Sequence, residues 1–418
     1  MSSMPDQDEI VDVAIVGAGA IGACIALECA RAGASVVVID AREGWGEGCS
    51  SGNAGGITHS HAAPFATPGD LFRALRWLTK PDSPFGISLS PALLPWLARF
   101  LRYTLDRSHL TLVTDTLADL ARESLSLHEA YAAEGFSSGY EHRGVLDVYE
   151  SPAGFRKGRR AAEAVVGPEA GSVLSEREVR DIEPLLQGPL IGGVLHDEDA
   201  HCDPLGFVQA VGAGAELAGA RLVPRQRVTS MHRGPNGVEL RSNEWNFRAR
   251  TAVIANGASM AELIPSIPVV AGIGCSVDLA SDGDTPLPSR PLMLHEARVV
   301  ATPLAGRLRF AGTMLIDRDP ERVPDPRRAA SVYAAGVRAL PAWAVNTQAP
   351  AWVGARACTF DALPAIGWAD DDHRMIVAGG HGMLGLTLAP ITAQFVRQML
   401  AGKDDDRLAI VDPRRWDR

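Results

Sequence analysis

The feature that most constrains this chain is Gly17-Ala18-Gly19-Ala20-Ile21-Gly22, placed directly after the apolar run 11–16 and opening a helix-compatible stretch over 22–32. A second apolar run, 36–40, follows. Short continuous apolar runs flanking an amphipathic stretch predict strand, helix, strand, with both strands buried on two faces. Each glycine has a separate job: Gly17 permits the tight turn, Gly19 lets backbone approach a pyrophosphate, and Gly22 allows helix and strand to pack closely. The free N–H groups and partial positive charge of the helix N-terminus then favour an anion. Asp40 ends the second run 18 positions after Gly22, where a carboxylate accepts hydrogen bonds from an adenosine ribose and repels a 2′-phosphate. Ala41 and Arg42 continue that edge of the site.

At 418 residues the chain exceeds a single small core, and two domains are expected. Forty basic against fifty acidic side chains leave a formal charge of −10, the wrong sign for binding nucleic acid. The six cysteines, at 24, 29, 49, 202, 275 and 358, show no paired metal-ligand spacing and suit reduced thiols, so neither a metal nor a disulfide framework is expected. A polar, acidic start without a basic and apolar leader argues against export. No uninterrupted apolar stretch reaches the roughly twenty residues that a spanning helix needs. A cytoplasmic protein is expected. The segment 91–105 sets Leu94, Trp96, Leu97, Phe100, Leu101 and Leu105 beside Arg99, Arg102 and Arg107. It reads as a helix packed on the second domain, with peripheral contact on the inner face of a membrane as the alternative.

Composition shifts to Gly, Ser, Asn, His and Pro over 44–69, which predicts a long irregular loop, usually functional inside an enzyme. Helix is expected over 108–133 and an alternating strand over 144–149. After Asp203, helix is expected over 204–217, short strands over 228–231 and 238–241, and a buried strand over 251–257 ending in a Gly turn. Runs at 272–279, 292–294 and 308–312 suggest antiparallel strands. Residues 375–378, the Gly-rich turn 379–385 and a helix to about 400 return to the strand-turn-helix pattern. The fold class is therefore α/β: a discontinuous Rossmann-like domain from 9–80, 201–265 and 346–402, plus an α+β substrate domain from 81–200 and 266–345 with a mostly antiparallel sheet. The tail 403–418 is expected to be solvated.

The fingerprint alone leaves NAD and FAD open, because both carry an ADP half. A nucleotide-sensing subunit without activity also remains open. The loop Cys49-Ser50-Ser51-Gly52-Asn53-Ala54-Gly55-Gly56 offers small residues and hydroxyls where a long buried ligand passes close to backbone, which fits FAD. The turn Gly379-Gly380-His381-Gly382-Met383-Leu384-Gly385 precedes another helix, and its N–H groups are positioned to stabilise negative charge on a reduced flavin. Together with the Asp203-Pro204 helix start, Val253-Ile254-Ala255-Asn256-Gly257-Ala258, Trp352-Val353-Gly354-Ala355-Arg356 and Asp361-Ala362-Leu363-Pro364-Ala365-Ile366-Gly367, these motifs resemble the FAD-dependent D-amino-acid oxidase family. The Asn-Ala-Gly loop and residues 63–77 resemble its bacterial D-amino-acid dehydrogenase branch, which includes D-hydroxyproline dehydrogenases. The resemblance covers nearly the whole chain.

What the resemblance implies is hydride transfer from a substrate α-carbon to flavin N5, giving an imine and then a keto acid, or a cyclic imine from D-proline or cis-4-hydroxy-D-proline. Sarcosine or glycine oxidation, or service as the FAD subunit of a hetero-oligomeric amine dehydrogenase, are its alternatives. Cofactor contacts are implied for Gly17, Gly19, Ala20, Ile21, Gly22, Asp40, Ala41, Arg42, Ser50, Ser51, Asn53, Ala54, Gly55, Gly56, Val228, Ala255, Asn256, Gly257, Gly380, His381, Gly382, Met383, Leu384 and Gly385. Arg356 takes the place of the family's carboxylate-binding arginine, suited to it because a guanidinium grips a carboxylate with two parallel bonds. Prolines common in the family are replaced by Ala357 and Phe360. His59, His61 and His381 are candidates to tune a proton or orient substrate. Asn53 stands where flavin-linked relatives carry histidine, and Cys358 is not clearly aligned with their cysteine, so the FAD is expected to be non-covalent. The partner is a small amino acid; the electron acceptor is oxygen, a quinone or a partner protein.

Overall fold

The computed structural model describes residues 9–64, 68–69, 83–88, 90–136, 138–163, 171–344, 350–403 and 405–417. The expectations for 1–8 and for most of 63–77 fall outside them. Five strands of a first sheet run parallel in the order Arg221–Val223, Val36–Ile39, Ile10–Val16, Asn246–Ile254, Met375–Gly379. Ala365–Trp368 extends it antiparallel, and the hairpin Val228–Gly234/Gly237–Ser242 pairs with the first half of Asn246–Ile254. Side chains alternate across a strand. Val13 and Ile15 therefore meet helices Ala20–Arg31, Pro204–Leu217 and Ala389–Leu400 on one face, while Ala14 and Val16 meet Leu240 and Phe247 on the other. Helix Pro204–Leu217 begins as expected, with Pro204 in its first turn and the Asp203 carboxylate accepting from Leu205 and Gly206 N–H.

Among the described residues the second sheet has nine strands, in the order Ala351–Thr359, Val269–Ala280, Arg307–Asp317, Val299–Leu304, Leu292–Leu294, Val145–Tyr149, Gly192–His196, Ser172–Ser175, with Phe85–Ile87 beside Arg307–Asp317. It is mostly antiparallel; Leu292–Leu294 against Val145–Tyr149 and the Phe85–Ile87 pairing are parallel. Helix Pro326–Ala339 covers it, Gly336 lying so close to Phe310 that a Cβ would come within 2.4 Å of the ring.

Several expectations need correction. Strand Val145–Tyr149 is buried on both faces, not half-buried, because the loop bearing His61 covers its second face. The strand carrying Arg356 belongs to the second sheet, so the segment 346–402 is divided between the two sheets. Helix Arg107–Ala133 docks on the nucleotide-binding side, where Ser124 and His128 bond the carbonyls of Thr387 and Leu386. The tail is not solvated: Val411 is fully buried, and the buried Asp361 carboxylate takes the Arg415 guanidinium at 2.8 Å and the Trp416 indole N–H at 2.7 Å. The turn at Gly380 opens only the short 3-10 segment Gly382–Leu384; the long helix starts at Ala389. Helix Leu94–Leu105 packs Trp96 and Phe100 on the second sheet, as expected, and turns Leu94, Leu101 and Leu105 outward.

Candidate active site

The fingerprint is shaped by contacts only glycine permits. Gly17 has φ +110°, and a Cβ there would lie 2.6 Å from the Ala255 carbonyl oxygen; one on Gly22 would lie 1.9 Å from the Gly17 oxygen. A Cβ on Gly19, by contrast, meets only Ser50 Oγ at 3.4 Å. That leaves space at the mouth of helix Ala20–Arg31, whose N-cap, Gly19, has no side chain to close it. Ser50 Oγ accepts the Ala20 N–H at 3.1 Å, beside Ile21 in the first turn. Asp40 accepts from Ala18 N–H at 2.6 Å and Arg42 N–H at 2.7 Å. Ala41 lies exposed between them. The Asp40 carbonyl takes Gln226 N–H, which sets Val228 two residues further along the same edge. Asn256 Oδ1 is buried without a partner, next to Gly257 at φ +63°. An open helix mouth, a carboxylate at the strand end and an orphaned acceptor fit a dinucleotide with hydroxyl donors.

The small-residue loop is fixed from two sides. Asn53 Oδ1 accepts Gly55 N–H at 2.8 Å, so the side chain closes its own turn. The Trp352 ring lies against Gly52 and Gly354, where a Cβ would approach to 2.0 and 1.9 Å. Arg309, 5% exposed, pairs Nε and Nη2 with Asp278 at 2.7 and 2.8 Å and donates from Nη1 to the Ser51 and Asn53 carbonyls at 2.8 and 2.7 Å. Thr302 Oγ1 donates to the Ala54 carbonyl at 2.6 Å, and Gly55 and Gly56 continue onto Cys202 and His201. Sequence reading missed Arg309 and Asp278. Their signal was a single charge in each of two apolar runs, at positions the register sets opposite one another.

Arg356 is half-buried on the edge strand Ala351–Thr359. Its guanidinium rests on Gly274, where a Cβ would come within 2.3 Å of Nη1. Nη1 donates to the Thr313 carbonyl at 3.2 Å. Thr313 sits in a β-bulge opposite Gly274 at φ +63°, an uncommon backbone for threonine that turns this carbonyl toward the arginine. Among the described residues no carboxylate lies within ion-pairing distance of Arg356. Its neighbours are neutral thiols. Burial pushes Cys49 and Cys275 up, and Cys358 up to about 12, with the Arg356 charge only partly offsetting it.

The C-terminal turn joins this strand through a bridge between Cys358 and His381. Gly380, at φ +74°, packs on Thr359, and Gly382, at φ +56°, has open space on its Cβ side. Burial holds the His381 ring neutral, pushing it down to about 3, and Nε2 is 3.0 Å from Thr392 Oγ1. Its ring is thus committed, and what it presents to the site is backbone. Leu384 is buried, Gly385 lies under the His381 Cβ, and Met383 is 48% exposed. A small cavity between Ala63, Leu117, Cys358, Gly380 and Met383 borders the turn. His59 and His61 belong to a different cluster. His59 Nδ1 lies 3.1 Å from Asp199, and His61 Nε2 lies 2.9 Å from Asp147. Burial alone would depress His61, but Asp147 and then Asp199 outweigh it and raise it to about 10.

A parallel sheet with an open Gly-lined helix mouth, joined to a mostly antiparallel sheet that carries Arg356, defines the class of a dinucleotide-dependent enzyme. The description FAD-dependent oxidoreductase (DAO) matches residues 12–399, and the chain belongs to that family; it is an FAD-dependent oxidoreductase. A D-amino acid dehydrogenase of Paramagnetospirillum magneticum is 30% identical over 406 residues, covering 94% of this chain and 95% of its own. A D-amino-acid oxidase of Bradyrhizobium diazoefficiens is 31% identical over 424 residues, covering 97% and 98%. Glycine oxidase from Geobacillus kaustophilus shares the fold at TM-score 0.75 and 23% identity, covering 97% of this chain and 98% of its own.

Proposed function

We propose that this chain oxidises the C–N bond of a D-amino acid, with D-proline and cis-4-hydroxy-D-proline among its substrates, giving an imine that water converts to a keto acid or, from a cyclic amine, a cyclic imine. The observation that carries this reading is Arg356: a half-buried guanidinium held by one backbone carbonyl, without a carboxylate among the described residues. A half-buried cation in neutral surroundings favours an anion beside it, and the fork fits a carboxylate. The names of the relatives support an amino acid as the source of that carboxylate.

When bound, FAD supplies the acceptor for the hydride leaving the α-carbon; non-covalent attachment is part of the proposal, since Asn53 closes its own turn and the Cys358 thiol is buried. The protein's own part is positional. Gly274 and the Thr313 bulge fix the guanidinium, Arg356 fixes the carboxylate, and the α-carbon is thereby aimed. No side chain has to take a proton from the α-carbon, which agrees with His381 being neutral and engaged by Thr392. Electrons then pass to oxygen, a quinone or a partner protein. Peripheral contact with an anionic membrane face has support in helix Leu94–Leu105, whose outward Leu94, Leu101 and Leu105 adjoin Arg99 and Arg102.

The test is the specificity constant of wild type, Arg356→Ala and Arg356→Lys with a D-amino acid and its amide. Removing a buried charge partner costs about 2–5 kcal/mol, roughly 30- to several-thousand-fold with the acid. Lysine should recover part of it, and the flavin spectrum should be unchanged. Turnover of the acid by the alanine variant within threefold of wild type, or equal losses for acid and amide, would overturn the assignment.

A further inference from the structure

Asp147, 5% exposed on strand Val145–Tyr149, is ringed by imidazoles from three separate segments. His61 Nε2 lies 2.9 Å from Oδ1, while His295 Nε2 and His196 Nε2 lie 3.0 and 3.5 Å from Oδ2. The ligating atoms of His61, Asp147 and His295 all fall within 4.8 Å of one another. Four strands separate the Asp147 strand from the Arg356 strand in the sheet order, and the oxidation proposed above requires nothing of this cluster.

The hydrogen bonds around His61 fix which nitrogen faces Asp147. The Ser60 hydroxyl donates to Asp199, a carboxylate that also takes the His59 and Ser60 backbone N–H groups. With its proton so spent, Ser60 Oγ, 2.7 Å from His61 Nδ1, accepts from that nitrogen. His61 Nε2 then faces one carboxylate oxygen and His295 Nε2 the other, so either a hydrogen on each ring nitrogen or a single cation held between them joins the imidazoles to Asp147. A carboxylate–serine–histidine chain behind the ring is also the outer-shell support that holds a metal-ligating imidazole in one tautomer.

We propose that His61, His196, His295 and Asp147 form a site for a zinc-like divalent cation. Two nitrogens with one carboxylate, and a third nitrogen in reach, is a donor set that suits borderline metals and not calcium or magnesium. Bonds of about 2.0–2.2 Å bring tetrahedral ligand atoms to roughly 3.3 Å apart, so the rings of His61 and His295 must swing inward by about an ångström. Both are partly exposed, at 24% and 35% of their side-chain surface. Four protein ligands leave no open position, so the role is structural. The ion would clasp the loop leaving the cofactor turn, through His61, to three strands or strand ends of the substrate sheet. The cysteine spacing gave no hint of this, because these ligands lie 49 to 234 residues apart along the chain, from 147 − 196 to 61 − 295.

The experiment is equilibrium dialysis of untagged, flavin-loaded, chelator-treated protein against micromolar Zn²⁺, with metal and flavin counted per chain. Wild type should hold one equivalent. His295→Ala and His61→Gln should each bind at least 30-fold more weakly while keeping flavin, and Ser60→Ala about tenfold more weakly. The exposed control His232→Ala should match wild type. No stoichiometric zinc in wild type, or zinc retained by both His295→Ala and His61→Gln, would overturn the site, leaving protons alone between the imidazoles and Asp147. Metal content is read independently of turnover, so failure of the substrate assignment would not touch it.

Discussion

Arg309→Met removes the clamp that holds the small-residue loop 49–56 against the second sheet while keeping an unbranched side chain in the strand. Two of the four hydrogen bonds lost go to the Ser51 and Asn53 carbonyls. Bonds from a charged donor are worth about 1.5–3 kcal/mol each, or about 3–6 kcal/mol for the pair. Roughly half should be recovered, because the loop is part-buried and the freed carbonyls can meet water. Asp278 is not stranded, since Arg307 Nε stays 3.0 Å from it. The net, about 2–3 kcal/mol, falls on closing the loop. Ser50, one residue before the clamped stretch, bonds the first turn of helix Ala20–Arg31, where the proposed function seats the dinucleotide, so FAD should report the loss. The expected effect is a roughly 30- to 150-fold rise in the FAD dissociation constant, read by flavin fluorescence on titrating the apoprotein. Arg309→Lys should recover little, because one ammonium cannot serve Asp278 and two carbonyls together. An Arg309→Met protein that binds FAD within threefold of wild type would show that the loop stands without its arginine.

Two fingerprint glycines should fail differently. Gly19→Val should fold and lose flavin, because its Cβ meets only Ser50 at 3.4 Å and the branches enter the pyrophosphate space; Gly22→Ala should lower the melting temperature of the apoprotein, its Cβ falling 1.9 Å from the Gly17 oxygen. Flavin content and apoprotein melting separate the two, and a Gly19→Val protein with full flavin would refute the site. Acid should destabilise the fold through two buried histidines: burial pushes His128 down to about 4 and His381 to about 3. Both are neutral when folded and take a proton near 6.5 when unfolded, so their stability is fully present above pH 6.5 and is lost as pH falls toward 4 and 3. Near pH 5 two protons give a slope of about 2.7 kcal/mol per pH unit, and His128→Gln should remove about half of it in urea titrations. An unchanged slope would exclude His128.

What was legible in the sequence was local. The fingerprint, the first two strands, the helix after Asp203 and the Gly257 and Gly380 turns are each written within a few residues, as periodicity and obligatory glycines. What was hidden depends on partners far along the chain. Strand Val145–Tyr149 reads as alternating, yet is covered on both faces because His61 arrives from a loop 86 residues away. The tail reads as a charged terminus, yet Arg415 and Trp416 converge on Asp361, 54 and 55 residues distant. Arg356 was legible as a residue but not its setting, since Gly274 and the Thr313 bulge come from two neighbouring strands.

The small-residue loop connects these levels. Its first hydroxyl, Ser50, bonds the helix mouth of the first sheet; its middle carbonyls are held by Arg309 and Thr302 of the second; its end, through Ser60 and His61, reaches Asp199 and Asp147. Glycine at 52 is required there because the Trp352 ring, four residues before Arg356, occupies the space a side chain would take. The segment assigned to the cofactor in the proposed function therefore also packs against the strand that carries Arg356. A shift in the loop must move Trp352, and with it the edge of the strand on which Arg356 is set. Cofactor seating and carboxylate binding are for that reason expected to be lost together when the loop is released, and separately when only Arg356 is changed.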